Sequence, residues 1–112
     1  MAEHETSKAY AVAILQEVEV GPEIVTYLER IDATLAPFGG RFIIHGGEVT
    51  ELEGAWQGDL IVIEFPDGAA ARGWYTSPAY RAILPLRTAH SKGPAIVIPG
   101  VGAGHAATDV LV

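Results

Sequence analysis

The chain has 112 residues, the length of one domain, and 49% of them are hydrophobic against 19% charged, which is too apolar for a chain that stays disordered. No apolar run approaches the ~18 residues of a membrane span, the start AEHETSK after Met1 is polar and acidic rather than leader-like, and the absence of cysteine removes disulfide and thiolate chemistry. Seven Lys and Arg against 14 Asp and Glu leave a net charge of −7, so neither a nucleic-acid nor a membrane-surface partner is expected, and the composition suits a cytoplasmic protein.

In chain order, residues 1–8 read as a mobile N-terminal tail. Ala9 to Val18 is strand-like up to the Gly21-Pro22 break, and both of its faces are largely apolar. Pro22 suits the first position of a helix running to about Ala36. Ile24, Val25, Leu28, Ile31 and Leu35 form its apolar stripe, with Thr34 off it. Pro37 and Gly39-Gly40 end that helix. Arg41 to His45 is a second strand, followed by a bulge or kink at Gly46-Gly47; Glu48 to Glu53 is a candidate continuation of the strand. Gly54 to Gly58 turn the chain, with Trp56 in the turn. Asp59 to Phe65 is a third strand, apolar on both faces. Asp67 caps a short helix over about Gly68 to Tyr75, and Ser77 caps another that opens on Pro78. Pro85 predicts a kink or break near Leu84. Ala95 to Pro99 is the fourth strand, and 102–112 reads as a loose C-terminal arm that follows a domain over 9–101.

The order β-α-β-β-α-β predicts an α+β, ferredoxin-like fold: an antiparallel four-stranded sheet with helices on one face. Two helices cover only one side of a sheet. Strands that are apolar on both sides need a second cover, because each buried aliphatic side chain contributes about 1.5–3 kcal/mol. The simplest cover is the same face of a second copy, which gives a homodimeric, barrel-like core. A C-terminal arm folded back over the sheet is the other way to hide it.

Several runs occur together and in order: Gly39-Gly40-Arg41-Phe42, His45-Gly46-Gly47, Leu52-Glu53-Gly54-Ala55-Trp56, Ser77-Pro78-Ala79-Tyr80 and Leu84-Pro85-Leu86-Arg87. Over about residues 9–101 the chain thereby resembles the family called domain of unknown function 1330, within the dimeric α/β-barrel superfamily. The resemblance implies a ferredoxin-like homodimer without an established reaction. His45 departs from it, since members often carry arginine before the glycine pair. A permanently charged fork is replaced by a group that titrates near neutrality.

Charge is unevenly spread. Residues 1–67 hold 13 of the 14 acids and three bases; residues 68–112 hold Arg72, Arg81, Arg87 and Lys92 against Asp109 alone. Such a pattern suits a small anion, or an acidic surface that keeps the protein soluble. The candidate ligand-binding residues are Arg41, His45, Arg87 and Tyr75, with His45 and Tyr75 the candidates for proton transfer. Arg41 and His45 are four apart on one strand, which predicts a shared face with Ile43 between them, opposite Phe42 and Ile44. Arg87 follows Pro85 and is placed to reach the rim. An alternative partner for Arg41 is Glu64 or Glu53. Trp74, Tyr75 and Tyr80 are at a spacing that packs a helix onto a sheet, and Ser77 is a cap rather than a nucleophile. Four histidines do not make a metal motif, since His4 and His105 lie in the tails and His45 and His90 have no ligand at helical spacing. Neither a metal nor a cofactor is expected.

Three functions are compatible with this pattern. One is a small dimer binding a partly apolar or anionic molecule in a cleft beside the sheet. Another is a cofactor-free isomerase or monooxygenase acting on an activated ketone or enol, with Arg41 steadying the anion. The third is a structural or partner-binding dimer whose cleft is filled by side chains.

Overall fold

The computed structural model describes residues 7–111, so His4 and residues 1–6 of the expected tail lie outside the described residues. The elements are β1 (Ala9–Leu15), α1 (Pro22–Leu35), β2 (Arg41–His45), β3 (Asp59–Phe65), α2 (Gly68–Thr76), α3 (Pro78–Thr88) and β4 (Ala95–Pro99), with single 3₁₀ turns at Ala36–Phe38 and Ala107–Leu111. The sheet order is β2-β3-β1-β4 and every pairing is antiparallel. This is the ferredoxin-like fold that the element order predicts.

The helix ends follow local chemistry. Asp67 accepts a hydrogen bond from the Ala70 amide at 2.7 Å, and Ser77 Oγ accepts from the Tyr80 amide at 3.3 Å while donating to the Trp74 carbonyl at 2.7 Å. Gly39 takes a left-handed φ of 70° to end the 3₁₀ turn, and a Cβ on Gly40 would lie 2.6 Å from the Phe65 ring. Only glycine therefore lets the chain turn so closely over the core.

The core lies between the helices and one face of the sheet, where Ala9, Ile63, Phe65, Ile31, Leu35, Trp74 and Tyr80 are buried together. The α1 stripe differs from the expected one. Val25 and Leu28 are exposed, and Tyr27 and Thr34 are buried instead. Each buried hydroxyl has a partner: Tyr27 shares a 2.7 Å hydrogen bond with the Tyr80 hydroxyl, and Thr34 Oγ1 accepts from Trp74 Nε1 at 2.9 Å. A hydroxyl so paired no longer opposes burial, so hydrophobicity alone misplaces the stripe by one position.

Four other expectations are corrected. β1 ends at Leu15 rather than Val18, because Glu17 adopts a φ of 52° and only Gln16 continues the ladder, as a bridge to Lys92. Residues 48–53 form no strand and are exposed. Pro85 lies inside α3, which runs on to Thr88 without the expected break. The irregularity of β2 falls between Phe42 and Ile44, not at the glycine pair. Gly46 and Gly47, with φ of 69° and 108°, instead lead out of the sheet into the 48–57 loop.

Opposite the helices, the sheet is open. Ile44, Ile96 and Ile98 are 40%, 53% and 46% exposed. Residues 101–111 are exposed and do not fold back over it. Among the described residues, no helix is long and apolar enough to cross a membrane.

Candidate functional site

Between the sheet and the helices, toward the end of the sheet where β1 and β2 finish and β3 begins, lies a cavity of about 570 Å³. Its wall is mostly apolar: Ala11, Leu15, Ile24, Leu28, Phe42 and Ile61 contribute to it. A smaller polar set shares the wall, namely His45, Asp59, Tyr75, Arg87 and Ser91, with Tyr27 and Tyr80 behind.

The bulge in β2 decides which candidates meet. Arg41 pairs in register with Glu64 and Phe42 with Ile63; then Ile44 is opposite Val62 and His45 opposite Ile61. Ile43 is the extra residue. Beyond it the alternation of side chains is inverted. His45 consequently joins Phe42 on the helix face, with the two rings stacked at 4.4 Å and 12°. Arg41 and Ile44 share the open face. The expectation that Arg41 and His45 share a face is overturned, and the cavity lies beside His45 rather than beside Arg41.

On the open face Arg41 meets the alternative partner that the sequence offered it. Its guanidinium lies 3.1 Å from Glu64 Oε1, Lys8 Nζ lies 3.3 Å from the same oxygen, and the Tyr10 hydroxyl donates to Glu64 Oε2 at 3.4 Å. Burial pushes the Glu64 carboxyl up, but the hydrogen bond and charge of Lys8, joined by Arg41, outweigh it and hold the group below the usual carboxylate range. This cluster is polar and self-satisfied at one end of an otherwise apolar face.

Arg87 sits in the last turn of α3, where the helix carbonyls favour a cation. Its Cζ is 6.0 Å from the Tyr27 ring centroid. Burial pushes the Tyr27 hydroxyl well above the ordinary phenol range, and the adjoining Tyr80 hydroxyl adds to the effect. Tyr27 is therefore a neutral hydrogen-bonding group. Tyr75 is half-buried, 5.6 Å from the Tyr80 ring, and lines the cavity. Three of the four candidates, His45, Tyr75 and Arg87, thus converge on one cavity, and Arg41 does not.

The chain segments at the cavity mouth are held together by backbone and charge. The Glu19 amide donates to the His90 carbonyl at 2.8 Å, and the His90 ring lies 3.0 Å from Glu23 and 3.5 Å from Glu19. The hydrogen bond to Glu23 raises the His90 pKa, burial opposes it, and both carboxylates add to the rise. His105 is paired with Asp109 in the arm. Among the described residues, no group of three or more histidine and acidic side chains is placed to hold a metal ion. Trp56 stands in an exposed loop and does not line the cavity; its indole donates to the Gly58 carbonyl at 2.9 Å.

Sequence reasoning missed Tyr27 and Ser91 as wall residues. Tyr27 falls three positions after Ile24 and four before Ile31, which is the spacing of one helix face, so a signal was present. Ser91 follows α3 by three residues and donates to the Arg87 carbonyl at 2.9 Å. It carries no sequence signal.

The fold recurs in solved structures. A protein of unknown function from Rhodopseudomonas palustris superposes with a TM-score of 0.66 at 16% identity, over 90% of this chain and 91% of the other. SnoaB, a cofactor-independent oxygenase from Streptomyces nogalater, gives a TM-score of 0.58 at 18% identity, over 88% of this chain and 97% of its own. A dimeric ferredoxin-like protein of unknown function from Thermobifida fusca gives 0.57 at 14%, over 86% and 93%. At these identities the likeness is one of fold. No curated protein matches the chain. Residues 8–101, which contain the whole sheet and its helices, match the family described as domain of unknown function 1330, and the chain belongs to that family.

Proposed function

We propose that the chain works as a homodimer, packed through the open sheet face, and that each subunit binds a small, partly apolar molecule in the cavity between sheet and helices. The cavity carries this reading. About 570 Å³ lies within the range of small-molecule sites, which is roughly 300–1,000 Å³. Its apolar wall and its few polar groups are the usual division of labour, the first supplying affinity and the second orientation.

Two observations support the dimer. Ile44, Val62, Val12 and Ile96 are register partners in one apolar row across all four strands of the open face, and Ile44 and Ile96 at its two ends are exposed, as is Ile98 beside them on β4. The Thermobifida fusca structure of the same fold is described as dimeric.

A cofactor-free enzyme acting on an activated ketone or enol is the second reading. The observation favouring it is that His45 and Tyr75, side chains of the types that serve in general acid–base catalysis, both line the cavity.

Native mass spectrometry of the purified protein tests the proposal. A mass of two chains, with a reproducible small-molecule increment that is lost on denaturation, is the expected result. A single chain, or a dimer that never retains or accepts a small molecule, counts against it. Turnover of an enol-type ligand that disappears in His45→Gln while binding persists would favour the enzyme.

A further inference from the structure

Arg87 differs from the chain's other arginines. Arg41 is paired with Glu64. Arg30, Arg72 and Arg81 have no carboxylate partner in the described structure, but they are exposed, and water solvates them. Arg87 alone is partly buried, lines the cavity, and makes no ion pair with any described Asp or Glu. It faces the Tyr27 ring, and its hydrogen-bonding neighbours are the Tyr27 and Tyr80 hydroxyls rather than a carboxylate. A guanidinium carries five N–H donors and stays charged at any ordinary pH. Withdrawing such a charge from water without a counter-ion is costly. In a chain with twice as many acidic as basic residues, a carboxylate partner would be easy to supply, yet Asp59, the acidic residue on the cavity wall, is exposed at the start of β3 and is not paired with Arg87.

We infer that the missing counter-ion is the ligand's own: the cavity takes a small apolar monoanion, a carboxylate or an enolate, whose charged head seats on the Arg87 fork and whose ring or alkyl body lies against Ile24, Leu28 and Ile61. This rests on the cavity being a ligand site and adds its charge class. The planar fork matches the two oxygens of a carboxylate or an enolized dicarbonyl. A phosphate dianion fits less well, because a single guanidinium leaves one charge unneutralised within an apolar wall. His45, stacked on Phe42, forms another part of the wall. The anion seat is therefore the arginine on α3, and Arg41 on β2 has no part in it.

The test is calorimetric titration with two probes of equal shape, 2-naphthoate and 2-naphthamide, against the wild-type dimer, Arg87→Gln and the cavity-blocking Leu28→Trp. The expected result is naphthoate binding at least tenfold tighter than naphthamide, that preference lost in Arg87→Gln, and both probes weakened in Leu28→Trp. Equal affinities for the two probes, or a preference for naphthoate that survives Arg87→Gln, overturns the charge assignment. If in that case Leu28→Trp still blocks both, the cavity reading stands without it. If neither probe binds, both readings fall. Should Arg87→Gln not fold, the wild-type protein labelled with ¹⁵N decides: the Arg87 Nε resonance shifts with naphthoate and not with naphthamide, and the reverse or no difference overturns the inference.

Discussion

On the helix face of the sheet, Ala9, Ile63 and Phe65 are sealed beneath the three helices; on the other face Ile44, Ile96 and Ile98, residues of similar hydrophobicity, have no cover within the subunit. The closed face is not filled to its edge. Toward the ends of β1 and β2 the packing gives way to the cavity, and there the polar groups His45, Tyr75 and Arg87 collect. The open face has its own polar cluster, Lys8, Tyr10, Arg41 and Glu64, whose members satisfy one another. The lesson is that equal apolar content serves two ends: one face stabilises the subunit and shapes a site, and the other is available for assembly.

The sharpest contrast between the faces comes from truncating a core side chain. Phe65→Ala should cost about 3–5 kcal/mol of unfolding free energy in a denaturant titration, because Phe65 is 1% exposed. A loss below 1 kcal/mol would mean the helix face is not the core. On the other side, Ile98→Asp should leave the circular dichroism unchanged yet weaken the dimer by about a hundredfold or more, since an unpaired carboxylate would be buried in the interface. Sedimentation that still shows an unperturbed dimer would place the interface elsewhere.

Smaller effects sharpen the boundary. Tyr80→Phe strands the Tyr27 hydroxyl in the core and should cost about 1–3 kcal/mol, and adding Tyr27→Phe should restore part of that loss. Additive losses in the double variant would show that the two hydroxyls are not coupled. Arg41→Ala should leave ligand affinity unchanged and shift the dimer constant by about fivefold or less, since exposed pairs contribute little. A large loss of ligand binding would return Arg41 to the site. The smallest effect is one of pH. The native state raises the His90 pKa, so the protonated ring favours folding. That contribution is complete below the unfolded value of about 6.5 and disappears as pH rises through the higher native value. His90→Gln should therefore destabilise the protein at pH 5.5 more than at pH 9. Equal melting shifts at the two pH values would show that the Glu19 and Glu23 contacts do not persist in solution.

Much of this was legible in the chain itself. Pro22, Asp67 and Ser77-Pro78 mark helix starts by local hydrogen bonding and fixed φ, and each acts over a few residues. The β-α-β-β-α-β order and the two-sided apolar strands followed from periodicity, and with them the ferredoxin-like fold and the need for a second cover. The site was legible in part. Tyr75, Arg87 and His45 were identified by chemical type, but their meeting place was not, since it depends on residues far apart in sequence.

What the sequence by itself determined was therefore the element order, the caps and the apolar content of each strand, all set by interactions within a few positions. Tertiary structure alone decided on which side His45 and Arg41 would stand. One extra residue at Ile43 inverts a period of two, and where that residue is accommodated depends on pairing with β3, a strand 14 residues further along the chain.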